Sequence, residues 1–228
     1  MKLLALDTST EACSVALYQD GAILALDEVC PQQHSKRILP MVQQLLATAG
    51  ISLQDLDGIV FGRGPGSFTG VRIGVGVCQG LAFGADLPVF GVSTLAAMAQ
   101  AAHRLHQATE VVAAIDARMA EVYFAQYRLS EAGLMLPFAE EVARKPAELP
   151  ECLVEANGVA VGTGFVTYAA QFSAWAPLRV CSDVLYPSAQ DMLMLAIPAW
   201  QAGAFIAAEL AEPIYVRDEV TWQKLPGR

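Results

Sequence analysis

The stretch Ile59-Val60-Phe61-Gly62-Arg63-Gly64-Pro65-Gly66-Ser67-Phe68-Thr69-Gly70-Val71-Arg72-Ile73-Gly74 decides the fold reading. Residues 59–61 form a short apolar run, 62–69 a glycine-rich loop, and 71–83 carry a helical pattern. A strand that turns through glycines into a helix is the elementary unit of an α/β lobe. Its free backbone N–H groups and helix dipole face the loop, an arrangement that suits an anion. The loop is not a P-loop, since no Gly-x-x-x-x-Gly-Lys-Ser/Thr spacing occurs. Nor is it a dinucleotide fingerprint, since a third glycine at the required position is missing. A phosphate site and a tight structural turn both remain open on these residues.

Upstream, residues 3–7, 13–18 and 22–29 read as three strands, with Gln19-Asp20-Gly21 as a hairpin turn. Asp7 and Thr8 fall where the first strand ends. Ile38, Leu39, Val42, Leu45 and Leu46 share one helical face; Ser35 is the expected N-cap and Gly50 the expected stop. Pro40 must lie near the first turn or bend that helix. Downstream, residues 88–92 read as a strand and 94–102 as a helix capped by Ser93. A second unit starts near Glu110, with strands at 111–115 and 122–128, a polar stretch over 129–157, and a strand at 159–161. That strand leads into Gly162-Thr163-Gly164 and a helix from about Thr167; a helix over 189–202, with Ser188 as the expected cap, and an extended tail at 214–217 follow. A meander with alternating helices and strands, given twice, predicts two α/β lobes, 1–108 and 109–228, the last helix docking back on the first lobe. No short-period repeat is visible.

Composition narrows the function. The 228 residues are 54% hydrophobic and 16% charged, which excludes a disordered chain. Fourteen Lys and Arg against 23 Asp and Glu give a net charge of -9. That argues against direct, tight nucleic-acid binding, which rests on clustered cations. Cys13, Cys30, Cys78, Cys152 and Cys181 are odd in number and lack a C-x-x-C pair, which fits a reducing, cytoplasmic compartment. The apolar N-terminal stretch stops at Asp7, short of a signal peptide. Residues 192–208 are the nearest approach to a membrane span, but Pro198, Gln201 and Gly203 interrupt them.

Chemistry-bearing residues are sparse. His103 and His106, three apart, make an incomplete metal pair. Ser9 and Ser67 lack a nucleophile elbow. Asp7 is the best catalytic-type carboxylate and in a phosphotransferase would hold Mg²⁺ or a water. The helix after the loop carries Gly70, Gly74, Gly76, Gly80 and Gly84. Each interior glycine costs roughly 0.5–1 kcal/mol against alanine, so the helix needs compensating contacts. Either it packs inside its lobe or another subunit approaches it closely.

Taken together, Leu4-Ala5-Leu6-Asp7-Thr8-Ser9-Thr10, Gln33-His34-Ser35 with Leu39-Pro40, the run from Gly62 to Gly74, Gly91-Val92-Ser93-Thr94-Leu95, Asp116-Ala117-Arg118-Met119 with Glu121-Val122-Tyr123, and Pro213-Ile214-Tyr215-Val216-Arg217 closely resemble the TsaB (YeaZ) family over the whole chain. The resemblance implies a two-lobed actin-like, sugar-kinase-like fold, each lobe a five-stranded mixed sheet with helices. It implies a non-catalytic cytoplasmic partner of TsaD that acts with the ATPase TsaE. Together these place threonylcarbamoyl on adenosine 37 of tRNAs reading codons that begin with A. On this reading tRNA is met only through the complex, no membrane is involved, and the chain self-associates as a homodimer when alone. ATP, ADP and metal belong to the partner subunits.

Where the catalytic paralogue holds metal with two histidines four apart, this chain has Thr94 and Met98, poor replacements for imidazole. The resemblance also implies that the two N-lobe helices pack on TsaD, which puts Ile38, Met41, Val42, Leu45, Val71, Val75, Cys78 and Gln79 near the interface. Asp7, Thr8, Ser9, Gly64, Gly66, Ser67, Gly162 and Gly164 are then candidates for a vestigial phosphate or nucleotide site. The rival reading is an ATP-dependent phosphotransferase using Asp7, the glycine loop and 162–164. A peptidase reading finds no nucleophile–base pair to support it.

Overall fold

The computed structural model describes residues 1–155, 157–175 and 178–217. The first lobe opens as a meander of β1 (Lys2–Asp7), β2 (Ala12–Gln19) and β3 (Ala22–Val29). Asp20 and Gly21 between β2 and β3 both have positive φ, 50° and 97°, as a two-residue hairpin of right-handed twist requires. Then come α1 (His34–Ala49), β4 (Gly58–Gly64), α2 (Phe68–Ala85), β5 (Val89–Ser93) and α3 (Thr94–His106). The sheet order is β3-β2-β1-β4-β5, antiparallel within the meander and parallel from β1 through β5.

The second lobe repeats that plan. Its elements are β6 (Glu110–Arg118), β7 (Glu121–Leu129), β8 (Met135–Pro137), β9 (Val142–Arg144), β10 (Val159–Val161), α4 (Thr163–Thr167), β11 (Arg179–Cys181) and α5 (Ala189–Gln201). The order β11-β10-β6-β7-β8 again joins an antiparallel hairpin to two parallel strands. The sheet has six strands rather than the expected five. The place beside β7 is shared, with β8 pairing near Tyr127–Leu129 and β9 near Val122–Phe124.

Period-two alternation puts each strand between two layers. From β1, Leu4 and Leu6 face a core shared with α1 and α2, while Leu3 and Ala5 face Met192, Leu193 and Ala196 of α5. In the second sheet, Val111, Ala113 and Ile115 face Leu95, Met98, Ala99 and Ala102 of α3, whereas Val112 and Ala114 face Phe165 and Phe172. Thus α3 covers the second sheet and α5 the first, each lobe completed by a helix from the other stretch of chain. The two helices are joined by Arg104, whose guanidinium grips the fully buried Asp191 carboxylate with two bonds of 2.9 and 2.8 Å.

Several local expectations change. Helix α1 starts at His34 with Gln33 at the cap position, not Ser35, and no side chain caps it. Gly50, left-handed at φ 67°, ends it as expected. Pro40 lies inside α1, on its exposed side. Helix α4 begins at Thr163 rather than Thr167, because Gly162 takes the strand directly into it. Ser188 precedes α5 but its hydroxyl bonds Asp27 instead of capping. Among the described residues the helix long and apolar enough to cross a membrane is α2, not 192–208; α5 stops at Gln201 and Gly203 turns the chain at φ 67°.

Candidate functional site

The glycine loop lies folded down on the turn after β1. The Ser67 N–H donates to Ser9 O at 2.7 Å, and Thr8 Oγ1 donates to Gly70 O at 2.7 Å. A Cβ on Gly66 would sit 2.4 Å from Ser9 O, and one on Gly70 2.2 Å from Thr8 O, so these glycines serve close backbone approach. Ser67 caps α2 by accepting from the Gly70 N–H at 3.3 Å. Asp7 Oδ1 accepts from the Ser9 N–H and hydroxyl at 3.0 and 2.9 Å. Its other oxygen is buried without a partner and is pressed against Gly62, where a Cβ would be 1.8 Å away. Burial pushes this carboxyl up to about 6, against the pull of the two Ser9 bonds.

Ser9, Gly66 and Ser67 line a cleft of about 390 Å³ between the lobes, opposite Asp116, Arg118, Tyr123 and Arg217. The remaining candidates for a phosphate site, Asp7, Thr8, Gly64, Gly162 and Gly164, do not line it. Gly162, at φ 103°, would put a Cβ 2.2 Å from Ala114 O, and one on Gly164 would be 2.9 Å from Ala114 Cβ, so both bring α4 onto β6. The two arginines of the cleft are already engaged. Arg118 pairs with Glu11 and Asp116, both at 3.1 Å, and Arg217 pairs with Glu121 at 2.5 Å while donating to Ala117 O at 3.0 Å. Thr94 and Met98 are fully buried. Thr94 Oγ1 donates to Pro65 O, and the Met98 methyl lies against Gly162. Neither position presents a metal ligand to the cleft.

The residues expected near an interface turn mostly toward the sheet. Ile38, Met41, Val42, Leu45, Val71, Val75 and Cys78 are all buried in the first lobe's own core, against β1, β2 and β4. They form the inward stripes of α1 and α2, with Val75 also at the floor of the surface cavity beside Gly76 and Gln79. Gln79 is half-buried and its amide donates to Ala208 O and Ala211 O, tying down the segment after α5. The outward face of α2 carries Phe68, Arg72, Gly76, Gly80, Phe83 and Gly84, all exposed. A Cβ on Gly76, Gly80 or Gly84 would meet nothing within 4 Å. The five glycines therefore divide: Gly70 and Gly74 admit Thr8 beneath the helix, and the other three form a smooth outer ridge.

Sequence reasoning missed a strap that runs beside α2. Ile206 bridges Val89 at the edge of the first sheet, Ile214 N–H donates to Arg63 O at 2.8 Å, and Arg217 reaches β7. Tyr215 packs on Phe68, with the Arg72 guanidinium 3.6 Å from the Phe68 ring centre. Arg72 and Tyr215 are separated by 143 positions, and no local pattern links them.

A family model described as TsaD, tRNA N6-adenosine threonylcarbamoyltransferase, matches residues 26–171. The chain is 50% identical to the tRNA threonylcarbamoyladenosine biosynthesis protein TsaB of Escherichia coli, over all of both chains. It is also 50% identical to the protein of that name from Haemophilus influenzae, over the whole chain and 98% of the relative. A solved structure of YeaZ from Pseudomonas aeruginosa superposes with a TM-score of 0.87 at 46% identity, covering 94% of this chain and 99% of that one.

Proposed function

The chain belongs to the TsaB (YeaZ) family and has its two-lobed actin-like, sugar-kinase-like fold; from that premise we propose that it takes part in tRNA threonylcarbamoyladenosine biosynthesis as a non-catalytic scaffold. It binds and supports TsaD, with the ATPase TsaE, in the cytoplasm while TsaD modifies adenosine 37 of tRNAs reading A-starting codons. The chain needs no catalytic cofactor of its own; ATP, ADP and the catalytic metal belong to its partners. It meets tRNA through the complex, and without TsaD the same face joins two copies of this chain.

The observation that carries this reading is the outer ridge of α2. Three exposed glycines, flanked by Phe68 and Phe83, destabilise an isolated helix, and a Cβ on any of the three would meet nothing within 4 Å. A facing helix would gain close approach along that ridge and cover the apolar flanks. The phosphotransferase reading draws on Asp7 and the glycine loop. Against it stand the orientation of Asp7 Oδ2 toward Gly62 and the paired state of Arg118 and Arg217.

Light scattering on a sizing column, with this chain alone and mixed with TsaD from the same source, tests the proposal. A one-to-one complex replacing a self-dimer is expected, lost in Gly80→Arg and Phe83→Asp. Two proteins that elute independently, with and without nucleotide, would sink it. ATP turnover by the isolated chain that disappears in Asp7→Ala would favour the phosphotransferase instead.

A further inference from the structure

Sequence spacing pairs His103 with His106, but the fold separates them. His103 Nδ1 lies 3.0 Å from Ala108 O, at the end of its own helix. His106 instead turns toward the end of β11, where Cys181 and Asp183 stand. Its Nε2 is 2.9 Å from Asp183 Oδ1, and one of its ring nitrogens, the Cys181 sulfur and a carboxylate oxygen of Asp183 all lie within 4.8 Å of one another.

We propose that His106, Cys181 and Asp183 form a binding site for a divalent transition-metal ion of the zinc type. Imidazole nitrogen, thiolate sulfur and carboxylate oxygen are the donor set such an ion takes. With metal–ligand bonds of about 2.0 Å to N and O and about 2.3 Å to S, tetrahedral donors stand roughly 3.3–3.8 Å apart. Closing from the present spacing needs a shift of roughly 1 Å. Asp183, with 55% of its side chain exposed, is free to make it, while Cys181 is buried and gives a fixed anchor. Thiolate and carboxylate together balance a doubly charged ion, and the thiol gives up its proton on binding.

Asp183 also lines a cavity of about 310 Å³ between α3, the edge of β3 and the segment after β11, from which water can reach its carboxylate. The ion would join the C-terminal turn of α3 to the loop after β11, fastening to the second lobe a helix that comes from the first stretch of chain. None of the three residues lines the interlobe cleft or lies on α2, so the site is independent of the scaffold role.

The test uses the tag-free, full-length protein, stripped with chelator and titrated with Co²⁺. One equivalent is expected to bind, with a thiolate-to-cobalt charge-transfer band in the near ultraviolet that Zn²⁺ abolishes. Cys181→Ser, a near-isosteric change, should lose the band while keeping its circular dichroism. His106→Ala should weaken cobalt binding at least about tenfold, and Cys152→Ser should change neither. Zn²⁺ should raise the melting temperature of the parent protein but not of the two ligand variants. Absence of the band in the parent protein, or its survival in Cys181→Ser, would overturn the assignment.

Discussion

Replacing Gly76, Gly80 and Gly84 together by alanine should make the isolated chain more stable and its partner complex weaker. Each built Cβ enters open space, so no contact opposes the gain in helix propensity. That gain is about 0.5–1 kcal/mol per site, and about 2 kcal/mol for the triple variant if the sites add. For a chain of this size about 1 kcal/mol moves the melting temperature by about 2–4 °C, so a rise of about 5 °C is expected. Gly70→Ala and Gly74→Ala, on the same helix with the same propensity term, should go the other way. Their methyl groups would stand 2.2 Å from Thr8 O and 2.9 Å from Thr8 Oγ1, and overpacking of that kind costs about 1–3 kcal/mol. The assay is urea and thermal unfolding at a concentration where the chain is monomeric, followed by titration with TsaD. Three methyl groups on the ridge should hold a facing helix off and cost at least about 1.4 kcal/mol, a tenfold loss of affinity. A triple variant no more stable than the parent, or one that binds TsaD unchanged, would refute the reasoning.

Asp7 makes the fold sensitive to pH. Its native carboxyl keeps its proton to about pH 6, while an unfolded one loses it near pH 4. The native state therefore binds more protons in that window, and stability falls as pH rises from about 4 to about 6, by about 3 kcal/mol in all. Asp7→Asn should remove that dependence: urea midpoints of the two proteins should diverge across the window and run parallel above it. Arg104→Ala should destabilise the protein by about 3 kcal/mol, because it leaves the buried Asp191 charge unpaired; chemical unfolding measures it. Arg217→Ala should cost about 1–2 kcal/mol by releasing bonds to a carboxylate and a carbonyl. It should also speed limited proteolysis within 211–217, read by mass spectrometry.

Much of the fold was legible locally because its signals are local. The β2–β3 turn needs positive φ at Asp20 and Gly21, and Ser93 caps α3 by accepting from the Ala96 N–H. The strand, glycine loop and helix from Ile59 onward announce an α/β lobe before any contact is known. Boundaries moved where a neighbour outweighed propensity, as at Ser188, whose hydroxyl serves Asp27 rather than its own helix. The duplicated sheet order left no repeat in the sequence, because pairing order depends on which strands meet and not on which residues fill them.

What the sequence determined by itself was the α/β class, the glycine loop and the family. These rest on residue identity at short spacing. What only the tertiary structure decided was direction. The outward stripe of α2 carries glycines and phenylalanines with Arg72 as its one charge, so periodicity alone could not say which stripe faces the sheet; packing against β1 and β4 turns Val71, Val75 and Cys78 inward and leaves Gly76, Gly80 and Gly84 outside. The same holds for contacts across long separations. Arg104 with Asp191 and His106 with Cys181 and Asp183 come from stretches more than seventy residues apart, and only the exchange of α3 and α5 between the lobes brings the buried ion pair together.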